Sequence, residues 1–103
     1  MREARLVGTS RSDRRAIYAR IEMDNPRAAI AVDERIEVAA RRLIDFPESG
    51  RPGRVDGTRE LVIARTPYIA PYRIVGNRVR ILRVIHSAQS WPEEFPDQDE
   101  LPE

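Results

Sequence analysis

The side chains best suited to chemistry gather in one stretch, residues 58–91, which contains the only histidine of the chain. His86 follows a run of recurring arginines: Arg59, Arg65, Arg73, Arg78, Arg80 and Arg83. Histidine exchanges a proton close to neutral pH, and arginine binds phosphate or carboxylate with a rigid fork of donors. Such a set can supply the acid and the cations of metal-free phosphodiester cleavage, which also requires a base. The nearby carboxylates, Asp56 and Glu60, cannot be assigned to that role from sequence.

Each of these side chains also has a structural interpretation. His86 is either a general acid or base, or a strand-end histidine that bonds a backbone group. Arg73 and Arg83 either line a sheet-face groove that receives phosphates or carboxylates, or pair with local acids and cover the core with their stems. Trp91 and the tyrosines of the block either stack on bases or pack against a helix. The candidate catalytic residues are His86, Arg83 and Arg73, and the candidate residues for contacts with nucleic acid or another target are Arg59, Arg65, Arg80 and Trp91.

Alternating apolar residues predict that this stretch forms three consecutive strands, over residues 58–65, 68–75 and 78–86. Turn pairs, Thr66-Pro67 and Gly76-Asn77, connect them as antiparallel hairpins. The last strand is apolar on both faces, with Val79, Ile81 and Ile85 on one side and Leu82 and Val84 on the other, which predicts a central position. Pro71 lies in mid-strand, where it cannot donate to a ladder, so we expect a sheet edge or a bulge there.

The elements that position this block are a short strand and two helices. Residues 3–8 alternate like an edge strand, with Thr9, Ser10 and Ser12 as possible caps for a helix over residues 12–24. Asn25-Pro26 ends that helix and starts a second, over residues 27–45. Apolar residues at helical spacing on the second helix (Val32, Ile36, Ala39 and Leu43) indicate its buried face. We therefore predict an α+β fold, a helix hairpin packed on a twisted antiparallel sheet of about four strands.

Charge divides the chain into a basic body and an acidic end. Residues 1–91 contain all 18 basic side chains, every one an arginine, and 11 acidic ones, whereas residues 92–103 contain 6 acidic side chains and no basic one. The basic body suits nucleic acid or an acidic protein partner. The end is acidic, broken by proline and poor in apolar residues, so we expect one domain over residues 1–91 and a flexible acidic tail over residues 92–103. That tail either stays solvated or lies over the basic face.

Composition also limits the classes of site. The absence of cysteine excludes disulfides and thiolate metal sites, and nothing in the sequence indicates a metal or a cofactor. No apolar run is long enough to cross a membrane and no signal peptide is visible, so we expect a cytoplasmic protein without membrane contact.

The order strand, helix hairpin, meander resembles the RelE/ParE superfamily of bacterial toxins from type II toxin–antitoxin modules. The strings that carry the resemblance are DNPRAA, LIDFPESGRPGR, GTRELVI, YIAPYRI and RVRILRVIHSAQSWP. The resemblance covers about residues 3–92. It implies a growth-arresting toxin that is held in a heteromeric complex by a cognate antitoxin. Its target would be DNA gyrase, as for ParE-like members, or mRNA on the ribosome, as for RelE-like endonucleases.

The residues required by RelE-like chemistry are absent from the matching positions. The lysine pair of that motif falls near Glu60 and Val62, its first arginine at Ile69 and its later arginine near Gln89. Some histidine-using nucleases of the superfamily place a histidine at about the position of His86, but their other histidines have no counterpart here. The resemblance therefore favours ParE-like gyrase poisoning slightly. A metal-independent endoribonuclease is the alternative.

Overall fold

The computed structural model describes residues 3–95. Its elements, in chain order, are β1 (Glu3–Leu6), α1 (Gly8–Asp24), α2 (Pro26–Asp45), β2 (Arg51–Pro52), β3 (Arg59–Val62), β4 (Tyr68–Val75), β5 (Arg78–Ile81) and β6 (Ile85–His86). The strands form one sheet in the order β1-β5-β4-β3-β2, and β6 pairs with the remaining length of β4. β1 runs parallel to β5, and every other described pair is antiparallel.

The predicted fold class is confirmed: two helices pack on one face of a sheet, and β1 is an edge strand. The sheet differs from the prediction in two ways. It has six strands rather than about four, and it is mixed rather than wholly antiparallel. The parallel pair arises because the chain leaves β1 through both helices and the meander before β5 returns beside it, so the connection is a long crossover rather than a hairpin.

The helix boundaries depend on caps. Helix α1 begins at Gly8, earlier than predicted, and Ser10 donates its hydroxyl to the carbonyl of Val7 at 2.8 Å instead of capping the helix. Helix α2 begins at Pro26 as its sequence indicates, and the side chain of Asn25 accepts the Ala28 N–H at 3.1 Å. The ends of the two helices therefore lie one residue apart, and the chain reverses direction at Asn25.

A buried core joins the helices to the sheet. Ile36 and Leu43 of the predicted α2 stripe pack against Tyr72 and Ile81. Arg14 of α1 reinforces the hairpin: its Nε lies 2.6 Å from an Asp33 oxygen of α2, and its Nη2 contacts that carboxylate and Glu37. The hydrogen bond to Asp33 is the main reason that the pKa of Arg14 is raised above its ordinary value, against the effect of burial.

The predicted third strand over residues 78–86 is wrong in one respect, because it is interrupted. Tyr72 pairs with Ile81 and Ile69 pairs with Ile85, so three residues, 82–84, lie opposite two, Ala70 and Pro71. This extra residue is a bulge on the strand opposite Pro71, whereas the sequence had predicted a sheet edge or a bulge at the strand of Pro71 itself. Pro71 offers only its carbonyl, which accepts the Leu82 N–H at 2.9 Å. The N–H group that Pro71 lacks would therefore point to the place where the pairing of β4 with the neighbouring strand is already interrupted.

The bulge reverses the alternation of the side chains that follow it. Val84 packs in the core beneath the helices, and Ile85 packs with Leu82 in a second cluster. The sequence had predicted that Ile85 shares a face with Val79 and that Val84 shares a face with Leu82, which is the reverse of the observed arrangement. Strict alternation carries no information about an inserted residue. The second cluster is formed by Val55, Leu82, Ile85 and Phe95, with Trp91 against it.

The segment after β6 folds back onto the sheet as far as the structure describes it. Phe95 is 7% exposed and lies in the second cluster, although the sequence placed the domain boundary at residue 91. The predicted tail over residues 92–103 therefore contains one packed residue, Phe95, whereas Glu93 and Glu94 before it are exposed. Residues 96–103, the rest of that tail, lie outside the described part of the chain.

The loop between α2 and β3 is tied to the sheet by one buried tyrosine. The hydroxyl of Tyr72 donates to the Pro47 carbonyl at 2.7 Å and accepts the Gly50 N–H at 2.9 Å. A Cβ at Gly50 would lie 2.6 Å from the Tyr72 ring, so this close approach requires glycine. Burial raises the pKa of Tyr72, which keeps its hydroxyl proton available for donation. Within this loop, Arg51 and Pro52 pair as β2, although the sequence predicted no regular structure there.

Candidate functional site

Three arginines stand side by side across the sheet. Arg5 of β1 pairs with Arg80 of β5, and Arg80 pairs with Arg73 of β4. Their neighbours Leu6, Ile81 and Tyr72 pack in the core beneath the helices, so these three side chains point to the opposite face. Neighbouring strands lie about 4.8 Å apart, which makes a row about 10 Å wide. We call Arg5, Arg80 and Arg73 the arginine row; each is half-buried, and none of them lacks a partner.

A buried carboxylate lies on the same face, near the opposite edge of the sheet. Glu60 is 3% exposed; one of its oxygens accepts from Nε and Nη2 of Arg51 at 3.1 and 3.0 Å, and the other accepts from the N–H and Nε of Arg54 at 2.8 and 3.0 Å. Burial by itself would raise the pKa of Glu60, but these hydrogen-bond donors together lower it by a larger amount. The pKa of Glu60 therefore lies below its ordinary value. Glu60 is therefore ionised at neutral pH with its oxygens occupied, which is unsuited to proton transfer.

Trp91 lies next to this ion cluster. The guanidinium carbon of Arg54 lies 3.7 Å from the centre of the Trp91 ring, a cation–π contact. The indole Nε1 is buried and has no hydrogen-bond partner. Because one ring face is covered by Arg54 and the ring packs beside the second cluster, the arrangement favours packing over base stacking for Trp91.

His86 lies at the end of β6, where it pairs with Tyr68. Its ring meets the Tyr68 ring edge-on, with centroids 5.5 Å apart and planes at 82°. The Nδ1 atom accepts the Ala88 N–H at 3.1 Å, so the neutral ring carries its proton on Nε2. This is the backbone contact that the structural interpretation predicted, and it leaves the Nε2–H group able to donate a hydrogen bond to a ligand.

Arg83 is held by a carboxylate from helix α1. Its Nε and Nη2 donate to the two oxygens of Asp13 at 2.6 and 3.1 Å, and Asp13 also accepts the Val84 N–H at 2.9 Å. This bidentate pair fixes the bulge to α1. A phosphate at Arg83 would have to compete with that contact.

Arg59 is the first residue of β3, and Arg65 lies in the turn that follows this strand. Arg59 donates to the carbonyls of Glu48 and Gly50 at 3.2 and 2.8 Å, so it supports the loop after α2. Arg65 is exposed in the turn before β4 with φ +61°, and its carbonyl accepts from Arg35 of α2 at 3.3 Å. Their guanidiniums lie away from the arginine row.

The candidate catalytic residues do not converge on one place. Arg73 lies five residues along β4 from Tyr68, the partner of His86, and on the other face of the sheet. At about 3.3 Å per residue this separates the backbones by about 16 Å. The structure does bring Arg73 and Arg80 together, and it adds Arg5, which sequence reasoning missed. Alternation with Ala4 and Leu6 indicated that Arg5 faces outward, but only the register of β1 on β5 places it in the row.

An apolar groove lies between α2 and β3. It has a volume of about 600 Å³, with Val38, Leu61 and Val62 on its walls and Arg35, Arg42 and Arg65 at its rim. Val38 and Val62 are 58% and 53% exposed. Val38 and Leu61 are the apolar side chains that α2 and β3 direct into this groove, whereas Val62 adjoins it at the strand edge and points to the other face of the sheet. An exposed valine on the wall of a concave surface is characteristic of a protein-binding groove.

Residues 3–95 form neither a metal site nor a helix that could span a membrane. No group of three or more His, Asp or Glu side chains is placed there to hold a metal ion. Neither helix is long and apolar enough to cross a bilayer.

Comparison with known proteins agrees with the fold. A family model described as the ParE toxin of the type II toxin–antitoxin system parDE matches residues 5–91. A putative toxin Y4kP of Sinorhizobium fredii is 50% identical over 95 residues, which cover 90% of this chain and 98% of that protein. A toxin of Caulobacter vibrioides, RelE2, is 35% identical over 88 residues, which cover 84% and 98%.

A solved structure described as a chromosomal ParDE toxin–antitoxin system from P. aeruginosa superimposes with a TM-score of 0.76 at 28% identity, covering 84% of this chain and 96% of the other. The family model spans nearly all of the described residues, and the relatives are matched over almost their entire length. The chain belongs to the ParE toxin family of type II toxin–antitoxin systems.

Proposed function

We propose that this toxin arrests growth by binding and poisoning DNA gyrase, and that it acts through its surface rather than by cleaving RNA. The observation that carries the proposal is the dispersal of the possible catalytic groups. Glu60 is fully engaged by arginines, Arg83 is held by Asp13, and Arg73 lies on the other face from His86. Metal-free cleavage needs a base, an acid and cations around one phosphate, and residues 3–95 form no such cluster.

A second candidate function, metal-independent endoribonuclease, has two observations in its favour. The Nε2–H group of His86 can donate a hydrogen bond to a phosphate, and one relative carries the name RelE2. In that reading His86 is the general acid, and arginines approach the phosphate only after RNA binds. The chain would then be an enzyme that cleaves mRNA on the ribosome.

Induction of the toxin in cells distinguishes the two. Gyrase poisoning predicts DNA breaks and an SOS response while transcripts persist, and purified toxin should inhibit supercoiling by purified gyrase. His86→Ala should retain this toxicity, since the His86 side chain accepts only one backbone hydrogen bond. Codon-positioned cuts in ribosome-bound mRNA that disappear in His86→Ala would refute gyrase poisoning. Arg83→Ala is a poor probe by itself, because it also removes the contact with Asp13.

We further propose that the cognate antitoxin binds the groove between α2 and β3. An amphipathic helix with acidic flanks fits an apolar groove with an arginine rim. Such an antitoxin would be a small acidic protein encoded next to the toxin, and the complex would form in the cytoplasm. Val38→Lys should weaken antitoxin binding at least tenfold, whereas Val75→Lys, at a valine that is also exposed but lies outside the groove, should leave it unchanged. Equal binding by both variants would exclude the groove.

A further inference from the structure

An open pocket lies where helix α1 adjoins β1 and α2, and it shares no lining residue with the groove between α2 and β3. It has a volume of about 390 Å³ and is lined by Leu6, Arg11, Arg14, Arg15, Tyr18 and Asp33. Arg11, Arg15 and Tyr18 are at positions i, i+4 and i+7 of α1, so they share one face of the helix. This face of α1 therefore brings two arginines and a tyrosine to the pocket.

The charges of Arg11 and Arg15 are not neutralised within residues 3–95. Both side chains are exposed, and neither guanidinium makes a hydrogen bond or an ion pair with a described residue. The carboxylates across from them are already engaged: Asp33 accepts Nε and Nη2 of Arg14 at 2.6 and 3.1 Å, and Glu37 accepts the same Nη2 at 3.0 Å. Like charges four residues apart destabilise a helix, so a bound anion would stabilise this arrangement.

Two unpaired arginines on a rigid helix fit the phosphates of a duplex backbone. Four helical residues separate Arg11 from Arg15 by about 6 Å along the axis. Each strand of duplex DNA carries one negative charge about every 3.4 Å of its own axis, so both arginines can reach phosphates of a single strand. Proteins that bind single strands add several aromatic rings on which bases stack, whereas this face of α1 has one ring, Tyr18. The pocket therefore suits a duplex rather than a single strand.

We propose that Arg11, Arg15 and Tyr18 bind the phosphate backbone of duplex DNA, as a second contact of the toxin with the gyrase–DNA complex. The choice of duplex DNA rests on the proposed function, because a gyrase poison acts on an enzyme that holds DNA. The two arginines supply charge without reading base sequence, and the Tyr18 hydroxyl donates a neutral hydrogen bond to a phosphate oxygen. Two linked contacts bind more tightly than either alone, so the toxin favours gyrase that is engaged with DNA.

Binding of the full-length toxin to a short fluorescein-labelled DNA duplex of random sequence, followed by anisotropy as salt is raised, tests the site. Arg11→Gln with Arg15→Gln should weaken binding about tenfold at low salt and reduce the slope of log K against log salt by about 2, as two phosphate contacts require. The matched control is Arg20→Gln with Arg27→Gln, which removes the same charge at two exposed arginines outside the pocket and should change affinity less than threefold. Thermal unfolding should be the same for the native toxin and both variants, since none of these four guanidiniums bonds a described residue.

Two more variants identify the chemistry of the ligand. Arg11→Lys with Arg15→Lys should keep the native salt slope, because a backbone phosphate needs the charge but not the guanidinium fork. Tyr18→Phe should weaken binding about threefold and leave the slope unchanged, since the hydroxyl is neutral. Equal losses in the glutamine variant and the control, or a lysine variant as weak as the glutamine variant, would overturn the site. Tighter binding of single-stranded RNA than of the duplex by the native toxin would assign the pocket to RNA and overturn it as well.

Supercoiling assays with purified gyrase separate this inference from the proposed function. The glutamine variant should require at least about threefold more toxin for half-inhibition than the native chain, because it has lost the DNA contact. A native toxin that binds the duplex through Arg11 and Arg15 without inhibiting gyrase would refute the proposed function and leave the DNA site standing. A native toxin that inhibits gyrase, with duplex binding that does not depend on Arg11 and Arg15, would refute the DNA site alone.

Discussion

Glu60→Gln tests whether the buried carboxylate has a structural role or a catalytic one. Gln has nearly the same shape, but it loses the charge and presents its NH2 group to arginine donors. Glu60 is 3% exposed, while the side chains of Arg51 and Arg54 are 53% and 45% exposed. Half-exposed pairs contribute about 1 kcal/mol each, below the 3–5 kcal/mol of a fully buried pair, so the variant should lose about 2 kcal/mol of unfolding free energy. For a domain of this size that lowers Tm by about 10 °C.

The lowered pKa of Glu60 determines how its contribution to the free energy of unfolding changes with pH. The pKa of Glu60 in the folded protein lies below its ordinary value of 4.5. The stability that this carboxylate contributes is therefore complete above the unfolded-state pKa and is lost as pH falls through the folded-state pKa. Urea unfolding from pH 7 downward should show the native chain and Glu60→Gln beginning to converge only at pH values below 4.5.

The matched control for this variant is Glu48→Gln. Glu48 is 79% exposed and lies 3.7 Å from Arg59, so its loss should cost less than about 0.5 kcal/mol at any pH. A loss below about 0.5 kcal/mol for Glu60→Gln at pH 7, or a difference that grows as pH falls below 4.5, would refute the ion-cluster reasoning. Toxicity that disappears in Glu60→Gln at a temperature where the variant is fully folded would make Glu60 a candidate catalytic residue.

Three further substitutions test how the fold positions its surfaces. Gly50→Ala should cost about 2 kcal/mol because the new Cβ meets the Tyr72 ring; thermal unfolding measures this, and an unchanged Tm would contradict the close approach. Asp13→Ala should cost about 3 kcal/mol by leaving Arg83 without its carboxylate, and a double-mutant cycle with Arg83→Gln should give a coupling of at least 1 kcal/mol; additive losses would contradict the pair. Phe95→Ala should cost about 2 kcal/mol in urea unfolding if the segment is packed as described, and no loss would contradict that packing.

The helices and the core were predictable because local signals specify them. Pro26 after Asn25 indicated the start of α2, and the spacing of Ile36 and Leu43 indicated its buried face. The start of α1 was not predictable, since Ser10 bonds the Val7 carbonyl from inside the helix rather than from a cap. Local propensity does not distinguish these two uses of a serine.

The candidate site was less predictable, because it depends on pairing between distant strands. An arginine that alternates with apolar residues is known to face outward, but the sequence does not say which arginines are neighbours. Arg5 and Arg80 are 75 positions apart and meet only through a parallel register. The guanidinium of Arg83, by contrast, is paired with the carboxylate of Asp13, which lies 70 positions away in the sequence. The bulge at residues 82–84 has the same origin, since a ladder interruption is specified by the partner strand.

The positions of the groove and the arginine row determine whether a single antitoxin segment can cover both surfaces. The groove lies along α2 and β3, whereas the arginine row crosses β1, β5 and β4, toward the other edge of the sheet. An antitoxin segment confined to the groove does not reach the arginine row, so Arg73→Gln with Arg80→Gln should leave antitoxin affinity within about twofold. A tenfold loss of antitoxin affinity in this arginine variant would mean that the antitoxin spans both surfaces.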